Sequence, residues 1–138
     1  MRMSVIGCGY LGAVHAAAMA SIGHDVVGID VDVRKVAALA SGTPPFFEPQ
    51  LGELLQEGLS SGRLRFSAEM SDAEGADIHF LAVGTPQEPG GHAADLRFVD
   101  AAVGSLLAHL RPGDVVAGKS TVPVGTAERL SSAIADSG

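Results

Sequence analysis

Three glycines near the start of the chain have the spacing of a phosphate-binding turn. Gly7, Gly9 and Gly12 follow a short apolar run and precede an alanine-rich segment. The first glycine permits a tight turn, the second lets a pyrophosphate approach the backbone, and the third lets a helix pack close to the strand. The N-terminus of that helix presents N–H groups and the positive end of its dipole to phosphates. We therefore predict that this turn, with Tyr10 and Leu11, binds a dinucleotide.

An acidic residue ends the next apolar run, where the ribose of such a ligand would lie. Asp30 follows Gly12 by 18 residues, close to the offset at which a carboxylate accepts from the adenosine ribose hydroxyls. Its charge would repel the 2′-phosphate of NADP, and the neighbouring Val31 offers no positive charge, although Arg34 is close. The sequence thus predicts a site for NAD. The alternative at this point is a strand–helix–strand unit of Rossmann type that binds no ligand.

Small and polar residues follow other predicted strands. The carboxyl ends of parallel strands meet at one edge of a sheet, so residues 84–86 and 120–123 are expected beside the glycine turn, with Thr85 facing the cofactor. Lys119 and Thr121 are the polar groups placed near a reacting substrate, and they do not complete a catalytic set. Lys35 lies five residues after Asp30 and is either a cofactor contact or a solvated lysine.

Two residues of types common in catalysis are assigned structural roles. Cys8 is the single cysteine, and a helix N-terminus can lower the pKa of a thiol. Its position in the glycine turn, however, normally holds a small residue against the pyrophosphate. His79 falls inside a predicted strand, with no second histidine nearby in sequence to orient it. We predict that neither residue is a nucleophile or a base.

The elements that position these residues alternate between strand and helix. Apolar runs predict strands near residues 3–6, 26–29, 64–66, 77–83 and 115–119. Helical periodicity predicts helices over residues 14–22, 32–40, 50–59, 96–110 and 127–135, the fourth with Phe98, Val99, Ala102 and Leu106 on its buried face. This alternation predicts an α/β fold of Rossmann type: one domain, residues 1–138, with a doubly wound parallel sheet in a three-layer αβα arrangement.

Composition narrows the classes of partner. The net charge of −7 argues against nucleic acid and anionic membranes. No apolar run approaches the ~20 residues of a membrane span, and no signal peptide is recognisable at the N-terminus. A single cysteine excludes an internal disulfide or a cysteine-rich metal site and fits a reducing cytoplasm. We expect a cytoplasmic protein without a bound metal.

Six stretches, in order along the chain, together resemble one family. They are residues 7–12, 30–35, 45–49, 80–86, 94–96 and 119–126, the last of which reads Lys-Ser-Thr-Val-Pro-Val-Gly-Thr. The chain resembles the N-terminal NAD-binding domain of the UDP-glucose 6-dehydrogenase family, which includes GDP-mannose dehydrogenases. Phe47 departs from the pattern, since the family usually has tyrosine there.

The resemblance implies a role for each matching residue. Asp30 matches the acid that binds the ribose, and Lys35 matches the basic residue that reaches the cofactor. Val83, Gly84, Thr85 and Pro86 match the loop on the nicotinamide half. Ser120 and Thr121 match the segment that faces the nicotinamide, where the family threonine helps to position the catalytic water.

The resemblance also implies an activity for the whole enzyme. Family members oxidise the C6 alcohol of UDP-glucose to a carboxylate in two NAD-dependent steps, through a cysteine thiohemiacetal and thioester, and form homodimers. The sequence stops before the family's catalytic glutamate, lysine, asparagine and cysteine, so we expect it to be inactive alone. A stand-alone NAD-binding regulatory module is the alternative. A different two-domain dehydrogenase, of 3-hydroxyacyl or 6-phosphogluconate type, is a third interpretation, which residues 120–126 argue against.

Overall fold

The apolar runs of the sequence form five strands, and the periodic segments between them form helices. The computed structural model describes residues 1–44, 46–84, 90–91, 96–118 and 126–137. The strands are β1 (Arg2–Ile6), β2 (Asp25–Ile29), β3 (Leu64–Ser67), β4 (Ile78–Leu81) and β5 (Val115–Gly118). The helices are α1 (Tyr10–Ser21), α2 (Val33–Ala40), α3 (Leu51–Ser61), α4 (Arg97–Leu107) and α5 (Thr126–Ser137), with a 3₁₀ helix at Met70–Ala73. The predicted order of elements is confirmed.

The five strands pair in parallel in the order β3-β2-β1-β4-β5. β1 therefore lies between β2 and β4. After β1 the chain adds β2 and β3 on one side of it, and then β4 and β5 on the other side. Such a position is a topological switch point, where open parallel sheets bind ligands beyond the carboxyl ends of their strands. The order confirms the predicted doubly wound sheet and places the end of β1 at the centre of the candidate site.

Apolar side chains cover both faces of the sheet, because successive residues of a strand point to opposite sides. Val5 packs on one face with Ala16 and Ala17 of α1, Leu39 of α2 and Leu55 of α3. The other face packs Ile6, Val27 and Ile29 against buried residues of α4, with Leu130 and Ile134 of α5 alongside. The two clusters confirm the three-layer αβα arrangement.

One side chain predicted for the core lies outside it. Val99, Ala102 and Leu106 of α4 are buried as predicted, but Phe98 is 52% exposed. The buried residues follow the i, i+3, i+7 spacing of one helix face, whereas Phe98 is about 100° away from Val99 around the helix axis. The prediction for Phe98 was wrong because the apolar pattern does not distinguish a core contact from a contact at the rim of a cleft.

Candidate functional site

The glycine turn joins β1 to α1 through contacts that exclude side chains at two positions. Gly7 has a φ of +95° and donates its N–H to the Ile29 carbonyl at 2.7 Å. A Cβ atom on Gly7 would lie 2.7 Å from the backbone nitrogen of Val83, and one on Gly12 would collide with the Gly7 carbonyl oxygen. The tight turn and the close strand–helix packing predicted for these two glycines are thus confirmed.

The middle glycine lies against open space. A Cβ atom on Gly9 would have no heavy atom within 4 Å, and no side chain caps the helix there. The first backbone hydrogen bond that closes α1 runs from the Ala13 N–H to the Gly9 carbonyl, at 2.9 Å. The amides of Tyr10, Leu11 and Gly12 come before it, at the end of the helix that attracts anions. Backbone donors and free volume therefore coincide at the predicted phosphate position.

Asp30 is oriented by the turn that it faces. One carboxylate oxygen accepts from the Cys8 N–H at 2.8 Å, and the other accepts from the Asp32 N–H at 2.9 Å. Only 10% of the side chain is exposed. A carboxylate has about four lone-pair sites, so these two bonds fix the group and leave acceptor capacity towards a hydroxyl pair. The structure brings Asp30 and the glycine turn together, as the spacing predicts.

Lys35 contacts this same carboxylate. Its Nζ lies 3.4 Å from Asp30 Oδ2, and the lysine side chain is 30% exposed. The Asp32 side chain holds the start of α2 by accepting from the backbone N–H groups of Arg34 and Lys35. The lysine therefore lies beside the carboxylate predicted to bind the ribose, and its contact with a cofactor stays a prediction.

A cleft of about 200 Å³ opens beyond β1 and β2, beside Asp30. Its wall is formed by the ends of β1 and β2, the segment after β4, the 3₁₀ helix and α4. Its lining residues are mostly apolar and are Ile6, Gly7, Ile29, Asp30, Val31, Met70, Val83, Phe98, Ala101, Ala102 and Ser105. Apolar walls with a few polar groups are typical of small-molecule sites. Val83 was predicted for the site from the sequence, whereas Val31, Met70 and Phe98 were not, because no motif marks them.

Other predicted site residues fall into two groups. Gly84 is exposed and has open space around its Cα. Thr85, Pro86, Ser120 and Thr121, with Lys119, lie outside the described residues. The strands that precede them are described: β4 ends at Leu81 and β5 at Gly118, and these two residues are opposite each other in the sheet. Leu81 is also opposite Ile6, the last residue of β1.

Cys8 is a buried thiol. Its Sγ lies 3.6 Å from the Ile29 carbonyl oxygen, and the side chain has no exposed surface. Burial, with a smaller contribution from the charge of Asp30, raises the pKa of Cys8 to about 12. The thiol is therefore protonated at neutral pH and has no access to a substrate. This agrees with the structural role predicted for it.

His79 is enclosed at the opposite edge of the sheet. Its Nδ1 lies 2.7 Å from Ser4 Oγ, and its Nε2 lies 3.3 Å from Asp114 Oδ2. His79 and Ser4 are both fully buried. Although the three residue types are those of a hydrolase triad, no substrate can reach this serine. The predicted strand-interior position is confirmed, but the prediction missed the orienting acid, which is 35 residues away in sequence.

Two further features of the described part of the chain bear on its partners. None of the helices described is long and apolar enough to cross a membrane. Among the same residues, no group of three or more histidine, cysteine, aspartate or glutamate side chains is arranged to hold a metal ion.

Comparison with known proteins relates this site to one family. The family profile described as "UDP-glucose/GDP-mannose dehydrogenase family, NAD binding domain" matches residues 1–138. A UDP-glucose 6-dehydrogenase of Rhizobium meliloti (strain 1021) is 44% identical over 131 residues, which cover 94% of this chain and 30% of that protein. The chain therefore spans about 30% of the length of this curated relative.

Solved structures give the same result. A UDP-glucose dehydrogenase from Pyrobaculum islandicum superposes with a TM-score of 0.90 at 44% identity, covering 99% of this chain and 32% of that one. A UDP-D-ManNAc dehydrogenase from Pyrococcus horikoshii superposes with a TM-score of 0.95 at 31% identity, with the same two coverages.

Proposed function

Since the chain belongs to the UDP-glucose/GDP-mannose dehydrogenase family and matches its NAD-binding domain, we propose that it binds NAD⁺ along the carboxyl edge of its sheet. The observation that carries this proposal is the pairing of Asp30 with the glycine turn. The Cys8 N–H fixes the carboxylate at 2.8 Å, beside the open space at Gly9. These contacts support a ribose acceptor at Asp30 beside a pyrophosphate site at the glycine turn.

The proposal assigns each part of the dinucleotide to a part of this edge. The pyrophosphate lies on the turn from Gly7 to Gly12 and accepts from the amides of Tyr10 and Leu11. The adenosine ribose binds Asp30, with Lys35 beside it. The adenine enters the apolar cleft between Val31, Met70 and Phe98. The nicotinamide half lies towards Val83, Gly84, Thr85, Pro86, Ser120 and Thr121.

The charge of Asp30 selects NAD⁺ over NADP⁺. A 2′-phosphate would be placed against a carboxylate that is only 10% exposed, where repulsion is weakly screened. Lys35 is already paired with that carboxylate, which leaves Arg34 as the nearby cation. The net preference is therefore for a ribose with two free hydroxyls.

For the whole enzyme, we propose oxidation of the C6 alcohol of UDP-glucose to the carboxylate of UDP-glucuronate. The reaction would consume two NAD⁺, each of which would accept one hydride. The residues of this chain bind and orient the cofactor, and Thr121 positions the attacking water. The named relatives support the reaction, and the chain matches only about 30% of the length of one of them. The remaining catalytic groups and the nucleotide-sugar site are assigned to the part of the enzyme that this chain does not match.

The setting of the enzyme is part of the proposal. We assign it to the cytoplasm as a homodimer with no nucleic acid or membrane partner. The single cysteine is a buried thiol, as suits a reducing compartment. The net charge of −7 disfavours polyanionic partners.

Calorimetric titration with NAD⁺ and NADP⁺ tests the cofactor site. We expect saturable binding of NAD⁺ and weaker binding of NADP⁺. The Asp30→Ala variant should lose about ten- to a hundredfold in NAD⁺ affinity, the range expected for hydrogen bonds to a charged group, and should lose its preference against NADP⁺. Asp25→Ala is the matched control, because Asp25 is an exposed carboxylate whose ion pair with Arg63 spans 3.8 Å at the opposite edge. A folded wild type that binds no NAD⁺ would refute the proposal.

A further inference from the structure

The first residue of α1 is bonded to a distant segment of the chain through its side chain. The Tyr10 hydroxyl donates a hydrogen bond to the Glu48 carboxylate, and the Tyr10 ring lies 5.4 Å from the Phe46 ring at an interplanar angle of 51°. We call residues 46–48 the strap. Its middle residue, Phe47, is 90% exposed. Tyr10 therefore touches both ends of the strap and leaves its centre facing outward.

The strap is anchored in the fold on its other side as well. Phe46 packs against the core cluster that contains Ala16 and Leu55. The Glu48 carbonyl accepts from the Leu51 N–H at 3.2 Å, at the start of α3. α3 in turn packs against α1. The bond between Tyr10 and Glu48 is an exposed link in this closed path, so that bond can open without disturbing the core.

Tyr10 also belongs to the phosphate-binding turn. Its backbone amide is one of those that precede the first hydrogen bond of α1. The Glu48 carboxylate is therefore hydrogen-bonded to the side chain of a residue whose backbone amide faces the proposed pyrophosphate position. At physiological ionic strength, charges closer together than about 8 Å are incompletely screened. A carboxylate free to turn towards the phosphates would repel them.

We propose that Tyr10 is a positioning residue for the cofactor: its hydroxyl holds the Glu48 carboxylate, and with it the strap, away from the pyrophosphate. This inference rests on the proposed function. The hydroxyl bond does two things at once, since it fixes the strap beside the turn and restrains a like charge next to an anionic ligand. The coupling is reciprocal, so NAD⁺ should stabilise the closed strap by the factor by which the closed strap strengthens NAD⁺ binding.

A set of three variants, compared with the wild type by calorimetric titration, tests the inference. Tyr10→Phe keeps the ring and removes the hydroxyl, and should weaken NAD⁺ binding about two- to fivefold, the order of the net contribution of one hydrogen bond. Adding Glu48→Gln removes the charge that the hydroxyl restrains and should restore the affinity. Glu53→Gln is the matched control on the first turn of α3. Its combination with Tyr10→Phe should stay weak.

The outcomes separate this inference from the proposed function. Wild-type protein without NAD⁺ binding overturns both. Wild-type binding with an unaltered Tyr10→Phe affinity, or a loss that Glu48→Gln does not reverse, overturns the positioning role alone. Thermal unfolding of each variant should show no difference that tracks the affinities, because a purely structural effect would lower stability and binding together.

A second measurement needs no cofactor. The chain has one tyrosine, so a ¹³Cζ-labelled tyrosine gives a single NMR signal, that of Tyr10. The hydrogen bond to Glu48 raises the pKa of the Tyr10 phenol. We expect Glu48→Gln to lower that pKa towards its ordinary value and Glu53→Gln to leave it unchanged. An identical titration in wild type and Glu48→Gln would show that the bond does not form in solution.

Discussion

At the scale of single residues, the glycines of the turn differ in why they lack a side chain. Gly12 is needed for packing within the fold, and Gly9 leaves space that a ligand can occupy. A Cβ atom on Gly12 would collide with the Gly7 carbonyl oxygen, whereas a Cβ atom on Gly9 would have no heavy atom within 4 Å. Gly9 also has an ordinary φ of −69°, which alanine adopts without strain. Gly9 and Gly12 therefore have different roles, as their places in the motif predict.

This difference predicts opposite effects of the same substitution. Gly12→Ala should lower the free energy of unfolding by about 1–3 kcal/mol, as overpacking does. Gly9→Ala should leave stability unchanged or raise it by up to about 1 kcal/mol, and should weaken NAD⁺ binding because its methyl group enters the pyrophosphate position. Urea unfolding and calorimetric titration of both variants measure the two effects. Stability loss in Gly9→Ala with intact stability in Gly12→Ala would contradict the assignment.

Residue identities could be predicted where a motif fixes both type and spacing, and not where partners are distant in sequence. Asp30 is predictable because a ribose acid follows the glycine turn at a known offset. Its bond to the Cys8 N–H depends on the path of the turn, which residue types alone do not specify. The position of Phe98 at the cleft was not predicted for a similar reason, since an apolar residue at the rim of a cleft has the same sequence pattern as one in the core.

At the scale of the elements, a buried histidine joins three strands at the edge opposite the cofactor site. Ser4 of β1 and His79 of β4 are opposite each other in the sheet, and Asp114 directly precedes β5. Burial lowers the pKa of His79, opposed by the hydrogen bond and charge of Asp114. Burial of Asp114 acts to raise its pKa, but the bonds from Arg111 and His79 outweigh it and the pKa is lowered. The network favours a neutral histidine beside a charged carboxylate.

These pKa directions predict an acid-sensitive fold. A histidine whose pKa is lower in the folded state binds its proton more readily when unfolded, so stability falls as pH drops below 6.5, the ordinary value. The fall ends below the folded-state pKa. Asp114 adds a second loss of stability below pH 3.8.

The free energy of unfolding in urea, measured between pH 5 and about pH 8, tests the histidine contribution. Its fall with decreasing pH should be present in the wild type and absent in His79→Gln. His24→Gln keeps His79 and should keep the fall, and a fall that persists in His79→Gln would contradict this origin.

The order of elements was predictable from the sequence because local pattern and global fold agree. Alternating apolar runs and helical stripes give five strands in a parallel sheet, and the boundaries differ from the prediction by a few residues. The link between β4 and the start of β5 was not predictable. His79 and Asp114 are 35 residues apart, and only the strand order brings them into contact.

At the scale of the whole molecule, the two edges of the sheet have different roles. The carboxyl edge holds the glycine turn, Asp30 and the apolar cleft. The opposite edge holds the buried histidine network and exposed ion pairs such as Arg63 with Asp25. The chain can bind an anionic cofactor despite a net charge of −7, because backbone amides and a helix terminus supply the local positive potential.

This division predicts that the 138-residue chain binds cofactor without catalysing the reaction. The resemblance implies a cysteine thiolate as the group that carries the sugar between two oxidations. The single cysteine of this chain is Cys8, which is buried and has a pKa raised to about 12, so almost none of it is thiolate at pH 7. We expect no absorbance increase at the NADH wavelength when the chain is mixed with NAD⁺ and UDP-glucose, while NAD⁺ still raises its melting temperature by mass action. NADH formation that survives Cys8→Ser would locate a complete catalytic set within these residues and overturn the assignment of the chemistry to the rest of the enzyme.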